Sequence, residues 1–361
     1  MYKLDDIKQI HLEITQKCQA YCGMCDRNKN GGEVNQHLTL SELKIDDIKH
    51  IFKPKFVSQL HAMQLCGNHG DPIVAEHTLE TFAYFRQHNP NMWFSMNTNA
   101  GAREPDWWAE LARVFGRMGT VIFSVDGLED TNHLYRAGVQ WSKVQRSFES
   151  FIAAGGRARW DFLVFDYNEH QTELAKERAA EWGFERFRLK KSSRFITGHS
   201  SQKKEEHQTT TRKGEESIVL KEPTKEENKN KILSKINIIN QTFGSMDNYY
   251  DVSEIQCRVK DSGSMYVSAE GIVMPCCWTA GRMYKWWHDD PRVEQIWQFV
   301  DASGGVDALN ANKRSLTEIF NTGIFDLIER SWAVEGCNKG KLKVCAMKCS
   351  KDFDVVGSQY E

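Results

Sequence analysis

The chain has 361 residues, 40% of them hydrophobic and 11% aromatic, with a net charge near −2. That length can bury a full core and favours a large domain followed by a smaller one, while a balanced charge gives no electrostatic case for nucleic acid or an anionic membrane as partner. No stretch of about 18 apolar residues and no leader-like apolar run is present, so a cytoplasmic protein is expected.

Taken in chain order, short apolar runs alternate with amphipathic segments. Strands are predicted at Ile7 to Ile14, Leu60 to Cys66, Met92 to Asn97, Thr120 to Val125, Arg159 to Phe165 and Phe184 to Leu189, with helices near 41–52, 76–89, 105–116, 141–154 and 170–182. Thr39 and Glu42 fit a capping box for the first helix, and Pro105 fits a helical first turn. Strands separated by helices form parallel βαβ units. Six of them predict an α/β fold built as a partial (β/α)6, TIM-like barrel over residues 1–195.

In such folds the C-terminal ends of the strands carry the ligand site. Cys18, Cys22 and Cys25 follow the first strand; Gly70, Asp71 and Pro72 follow the second; Asn97 and Asn99 close the third; Ser124 and Asp126 close the fourth. These strand ends are expected to converge. Cys66, last in the second strand, reads as a small buried hydrophobe or as a thiol facing the site. His69 reads equally as a turn residue or a ligand contact.

Residues 199–232 are rich in alternating charge and poor in apolar side chains, which predicts a solvated linker or insertion within 196–245. A second unit over 246–361 then opens with a hairpin, Ser264 to Ser268 and Ile272 to Met274, turned at Gly271. A helix is predicted near 316–331. Trp107-Trp108 and Trp286-Trp287 read as helix and interface packing, with the lining of a substrate cleft as the other reading of the second pair.

The ten cysteines fall in groups: 18/22/25, 257/276/277 and 337/345/349, with Cys66 alone. In a cytosolic chain such groups read as metal ligands or reactive thiols. Three thiolates spaced as Cys-x3-Cys-x2-Cys can hold three irons of a cubane and leave the fourth open. The alternative is zinc, which ordinarily takes four ligands in paired Cys-x2-Cys form.

The Cys18/Cys22/Cys25 motif after a first strand resembles the signature of the radical S-adenosylmethionine enzymes. In that resemblance Gly70-Asp71-Pro72 sits where the family has a Gly-Gly-Glu-type turn that holds the methionine amino group. Ser124 and Asp126 match a Ser-x-Asp after the fourth strand, and Arg136 lies where an Arg reaches the cofactor. Met24 occupies the place where the family usually has an aromatic residue beside the adenine. The resemblance implies a 4Fe-4S cluster, bound S-adenosylmethionine, its reductive cleavage to a 5′-deoxyadenosyl radical, and a reductant such as flavodoxin or ferredoxin.

Cys257, Gly271 and Cys276, followed by Cys337, Cys345 and Cys349, resemble the SPASM or shortened twitch extension, which carries auxiliary iron-sulfur clusters. The internal Cys-x2-Cys is missing, so one auxiliary 4Fe-4S cluster is expected, on Cys257, Cys276, Cys345 and Cys349, with Cys337 or Cys277 as substitutes; a structural zinc is the other reading. Cys66 and Cys277 are then candidate hydrogen-atom donors. Relatives with such extensions modify peptides or proteins, by oxidation, cross-linking or epimerisation, or oxidise small molecules such as sugars and aminocyclitols. A non-catalytic iron-sulfur or zinc protein is the third reading.

Overall fold

The computed structural model describes residues 2–195, 205–285 and 291–353, the side chains of 291–294 excepted. The first part alternates strand and helix: β1 (Gln9–Leu12), α1 (Ile45–Ile51), α2 (Pro54–Ser58), β2 (Ala62–Leu65), α3 (Thr78–His88), β3 (Trp93–Thr98), α4 (Pro105–Phe115) and β4 (Gly119–Ser124). It continues with α5 (Asn132–Tyr135), α6 (Trp141–Ala153), β5 (Ala158–Val164), α7 (Thr172–Glu181) and β6 (Arg186–Lys191). All six strands are parallel and neighbour one another in sequence order.

Alternation along each strand sends one set of side chains outward under the helices. Phe94, Val121, Phe123, Trp160 and Phe162 form that outer set and are buried. Against them pack Trp108 and Phe151, with Trp108 5.6 Å from Phe123, and Trp182, whose ring stacks 5.7 Å from Trp160. The buried indoles keep a polar partner: Trp160 Nε1 donates to Val125 O at 2.8 Å. Trp107-Trp108 is thus a packing pair, and Pro105 does open α4. Trp286-Trp287 lies outside the described residues.

The first helix starts differently from the sequence reading. Leu40 turns the chain with φ 54°, and a bridge between Thr15 and Glu42 holds Glu42 beside β1. Its carboxylate accepts from Thr15 Oγ1 at 3.1 Å, and the Thr39 hydroxyl reaches Glu270 at 2.7 Å. The helix is capped instead at Lys44, whose N–H donates to Asp47 at 2.8 Å.

The charged segment after β6 is also corrected where it is described. A hairpin, β7 (Glu206–Thr210) and β8 (Glu216–Lys221), is followed by α8 (Ile232–Phe243) and α9 (Met246–Val252). Leu220 is fully buried, and Glu169 accepts from Thr224 and Lys225 N–H groups at 3.1 and 2.9 Å. One buried leucine and satisfied backbone suffice to fix a polar ribbon that composition alone marks as solvated.

The remaining elements are α10 (Arg258–Asp261), β9 (Ser264–Val267), β10 (Val273–Met274), α11 (Cys277–Ala280), α12 (Pro291–Ala302), α13 (Leu316–Asn321), α14 (Ile324–Ser331) and α15 (Lys343–Cys349). The single helix expected near 316–331 is therefore two, separated at Gly323 (φ 82°). β9 pairs parallel with β1, Ile10 opposite Met265, and β10 returns antiparallel. The predicted hairpin thus extends the barrel sheet to eight strands, in the order β10-β9-β1-β2-β3-β4-β5-β6. The sheet is an open, partial barrel with β6 at one edge and β10 at the other.

Candidate functional site

A cavity of about 320 Å³ lies where the strand ends converge. It is lined by Cys18, Cys22, Cys25, Cys66, Gly70, Asp71, Asn97, Asn99, Ser124, Asp126 and Arg136, so eleven sequence-predicted residues meet in one place. Met24 and Pro72 are buried and do not line it. Pro72 instead opens the short turn after Asp71, whose carboxylate accepts from Ile73 N–H at 3.2 Å.

The cysteine loop leaves β1 and is tied to the neighbouring strand ends. Asp71 N–H donates to Lys17 O at 2.9 Å and Tyr21 N–H to Ala137 O at 3.0 Å. Asn99 Nδ2 lies 3.5 Å from Cys18 Sγ, and Arg136 Nη1 3.9 Å from Cys22 Sγ. Burial pushes the Cys22 thiol up to about 11, with Arg136 acting against it. Donors aimed at two of three sulfurs are what a set of bound thiolates requires.

Asp126 organises the fourth strand end. Its Oδ2 accepts from Arg136 Nε at 2.6 Å and its Oδ1 from Leu163 N–H at 2.7 Å. Burial alone would lower Arg136, but Asp126 and Cys22 more than offset it and keep the guanidinium charged. Asp71 accepts from Asn99 N–H at 2.7 Å; burial nonetheless holds its carboxyl above the ordinary range. One more group is poised for a ligand: Asn68 Nδ2, on the cavity wall, is buried with no hydrogen-bond partner among the described residues.

Glu13 was not marked in the sequence, yet it builds the turn after β2. Its Oε1 accepts from His69 N–H at 2.6 Å and Gly70 N–H at 3.1 Å, and its Oε2 accepts from the Tyr266 hydroxyl of β9. Burial would raise this carboxyl, but the His69 and Tyr266 contacts outweigh it and hold it low. Gly70 is required here, because a Cβ would stand 1.9 Å from Thr15 O. His69 is accordingly a turn residue that lines the cavity, with its ring 5.2 Å from Tyr284. Tyr135, Asp161, Lys190 and Arg194 are also on the wall. They come from strand ends and loops with no motif to flag them.

Cys66 lines the cavity. Burial, with Glu13 adding to it, raises its thiol to about 11. Cys277 is also raised by burial and by the neighbouring Cys276 and Cys66, but it does not line the cavity.

The second group forms elsewhere. Cys257, Cys276, Cys345 and Cys349 act on one another electrostatically, and the Cys349 thiol, hydrogen-bonded to Cys257, lowers Cys257 against its burial. Cys337 stands apart: its N–H donates to Asp251 at 2.6 Å, and it packs on the small core around α8 and α9. No three His, Cys, Asp or Glu side chains among the described residues are spaced for a single ion.

Over nearly its whole length the chain has the fold of radical S-adenosylmethionine enzymes of known structure. Streptococcus suis SuiB bound to S-adenosylmethionine superposes with a TM-score of 0.55 over 98% of this chain and 77% of its own, at 13% identity. anSMEcpe with bound AdoMet gives 0.55 over 98% and 89%, at 15% identity. In another SuiB structure the match spans 76% of this chain and 61% of that one. No protein-family model and no curated protein matches the sequence. No helix among the described residues is long and apolar enough to cross a membrane.

Proposed function

We propose that this protein is a radical S-adenosylmethionine enzyme that takes a hydrogen atom from a peptide or protein substrate. The observation that carries this is the single cavity shared by Cys18, Cys22 and Cys25 with the Asp71, Asn99, Ser124, Asp126 and Arg136 strand ends. A three-cysteine iron-sulfur cluster and S-adenosylmethionine, when bound, supply one-electron cleavage of a carbon–sulfur bond and a carbon radical able to attack an unactivated C–H bond.

The protein's own part is to hold and shield. Asp71 and the Gly70 turn offer a carboxylate and backbone to an amino group, and Arg136, kept charged by Asp126, offers a guanidinium to a carboxylate. Cys66, protonated at neutral pH and facing the cavity, is the better placed of the two candidate hydrogen-atom donors. Cys257, Cys276, Cys345 and Cys349 are the proposed ligands of one auxiliary cluster, which gives an electron leaving the substrate somewhere to go. The peptide reading is supported by anSMEcpe, which shares the fold in complexes with AdoMet and the Cp18Cys or Kp18Cys peptide, at TM-scores of 0.50 and 0.51. An external one-electron donor of the flavodoxin or ferredoxin kind is required.

The test is anaerobic reconstitution followed by reduction with S-adenosylmethionine present. About eight irons per chain and formation of 5′-deoxyadenosine are expected. Zinc in place of iron, or no 5′-deoxyadenosine under any reductant, would favour a binding protein instead.

A further inference from the structure

The wall of the cavity built by β5 and β6 has an unusual charge. In parallel strands, residues paired in register share a face. Asp161 and Leu163 of β5 and Lys190 of β6 line the cavity, and the register sets Arg159 opposite Arg186, Asp161 opposite Arg188 and Leu163 opposite Lys190. Arg159, Arg186 and Arg188 therefore lie on the same inward face. Phe187, between them, points the other way, 5.3 Å from the buried Trp160.

Lys190 and the carboxylate of Asp161 line the cavity itself; Arg159 and Arg188 flank them half-buried on the same face, and Arg186 lies exposed at the start of β6. Asp161, almost fully buried, is 2.8 Å from Arg159 Nε and 3.9 Å from Lys190 Nζ. Arg159, Arg188 and Lys190 have partners within the fold, so the point is net charge and not vacancy. Gln64 of β2, Asn97 of β3 and Ser124 of β4 are neutral, and the other carboxylates on the cavity are Asp71 and Asp126. Arg136, nearer the cysteines, already has Asp126. An excess of positive charge on a partly enclosed, low-dielectric wall concentrates anions. β6 is also an edge strand, so this wall borders the open side of the barrel.

We infer that the substrate is anionic: it presents a carboxylate or phosphate to the Arg159, Arg188 and Lys190 side of the barrel while its reacting carbon faces the cysteine loop. The inference rests on reading this cavity as the reaction site, and it narrows the substrate to a peptide with an acidic residue near the modified one, or to an acidic small molecule.

Equilibrium dialysis on the reconstituted full chain with S-adenosylmethionine tests it, using glutarate and inorganic phosphate as probes and glutaramide as the neutral match. Glutarate should bind at least tenfold more tightly than glutaramide. Arg188→Gln with Lys190→Gln should weaken glutarate at least tenfold, and Asp161→Asn, which removes the carboxylate of this face, should tighten it about threefold, a gain that misfolding does not produce. Equal binding of glutarate and glutaramide, or loss of glutarate binding in Asp161→Asn, would overturn the inference. Acetyl-Ala-Glu-Ala-amide against its Gln counterpart separates the sources: tighter binding than glutarate assigns the anion to a peptide, weaker binding to a small molecule. Formation of 5′-deoxyadenosine by the wild type, measured separately, tests the parent reading, so the two fail independently.

Discussion

The two cysteine groups of this chain are built on opposite plans. Cys18, Cys22 and Cys25 open onto a cavity with amide, carboxylate and guanidinium groups around it. Cys257, Cys276, Cys345 and Cys349 line no part of that cavity; Cys345 and Cys349 are 8% and 6% exposed, and Cys345 belongs to the main apolar core. The first plan leaves room for a second molecule beside whatever the thiols hold. In the second, two thiols are buried and two half-buried, and none of them reaches that cavity. A metal centre that must react needs an open position, while one that stores or passes an electron is served by enclosure.

The largest effect should come from removing the open group. Replacing Cys18, Cys22 and Cys25 by Ala should abolish 5′-deoxyadenosine formation and remove about half of the iron, read by chromatography and iron analysis. Cys257→Ala or Cys349→Ala should also remove about half of the iron yet leave 5′-deoxyadenosine detectable, and Cys337→Ala should change neither. If Cys337→Ala costs iron and Cys257→Ala does not, the assignment of the enclosed group is wrong.

A smaller effect tests how the turn beside the open group is held. Glu13→Gln weakens two N–H contacts to the Gly70 turn and the one to Tyr266, and should raise the KM for S-adenosylmethionine about tenfold with iron content unchanged. A fall in kcat alone, at unchanged KM, would contradict a positioning role. The smallest effect concerns the ribbon over the cysteine loop. A Cβ on Gly23 would stand 2.3 Å from Thr209 Cγ2 of β7, and His207 Nε2 lies 3.1 Å from Gly23 O. Gly23→Ala should lower Tm by roughly 3 °C, and adding Thr209→Ser, which deletes that methyl group, should restore most of it.

Much of this was legible in the sequence because the strand ends are motif-bearing. Cys18 to Cys25, Gly70 to Pro72, Asn97 to Asn99 and Ser124 to Asp126 each follow an apolar run, and parallel topology brings such ends together. Glu13 was not legible: an acid in a strand pattern looks like a solvent-facing position until β9 is known to lie beside β1. The cationic wall was hidden similarly, since Arg159, Arg188 and Lys190 share a face only once the β5–β6 register is fixed. The segment after β6 misled because its composition is that of a linker, while its order comes from Leu220 and from backbone contacts such as Thr210 N–H to Asn30 O at 2.8 Å. Composition carries no trace of such pairings.

The contrast between the open and the enclosed group is tested most directly by electron paramagnetic resonance of the reduced chain, recorded with and without S-adenosylmethionine. In the wild type, adding S-adenosylmethionine should shift part of the signal; in the Cys18, Cys22 and Cys25 triple variant the remaining signal should stay unchanged. A remaining signal that still shifts would place an open iron on the C-terminal cysteines and contradict the account.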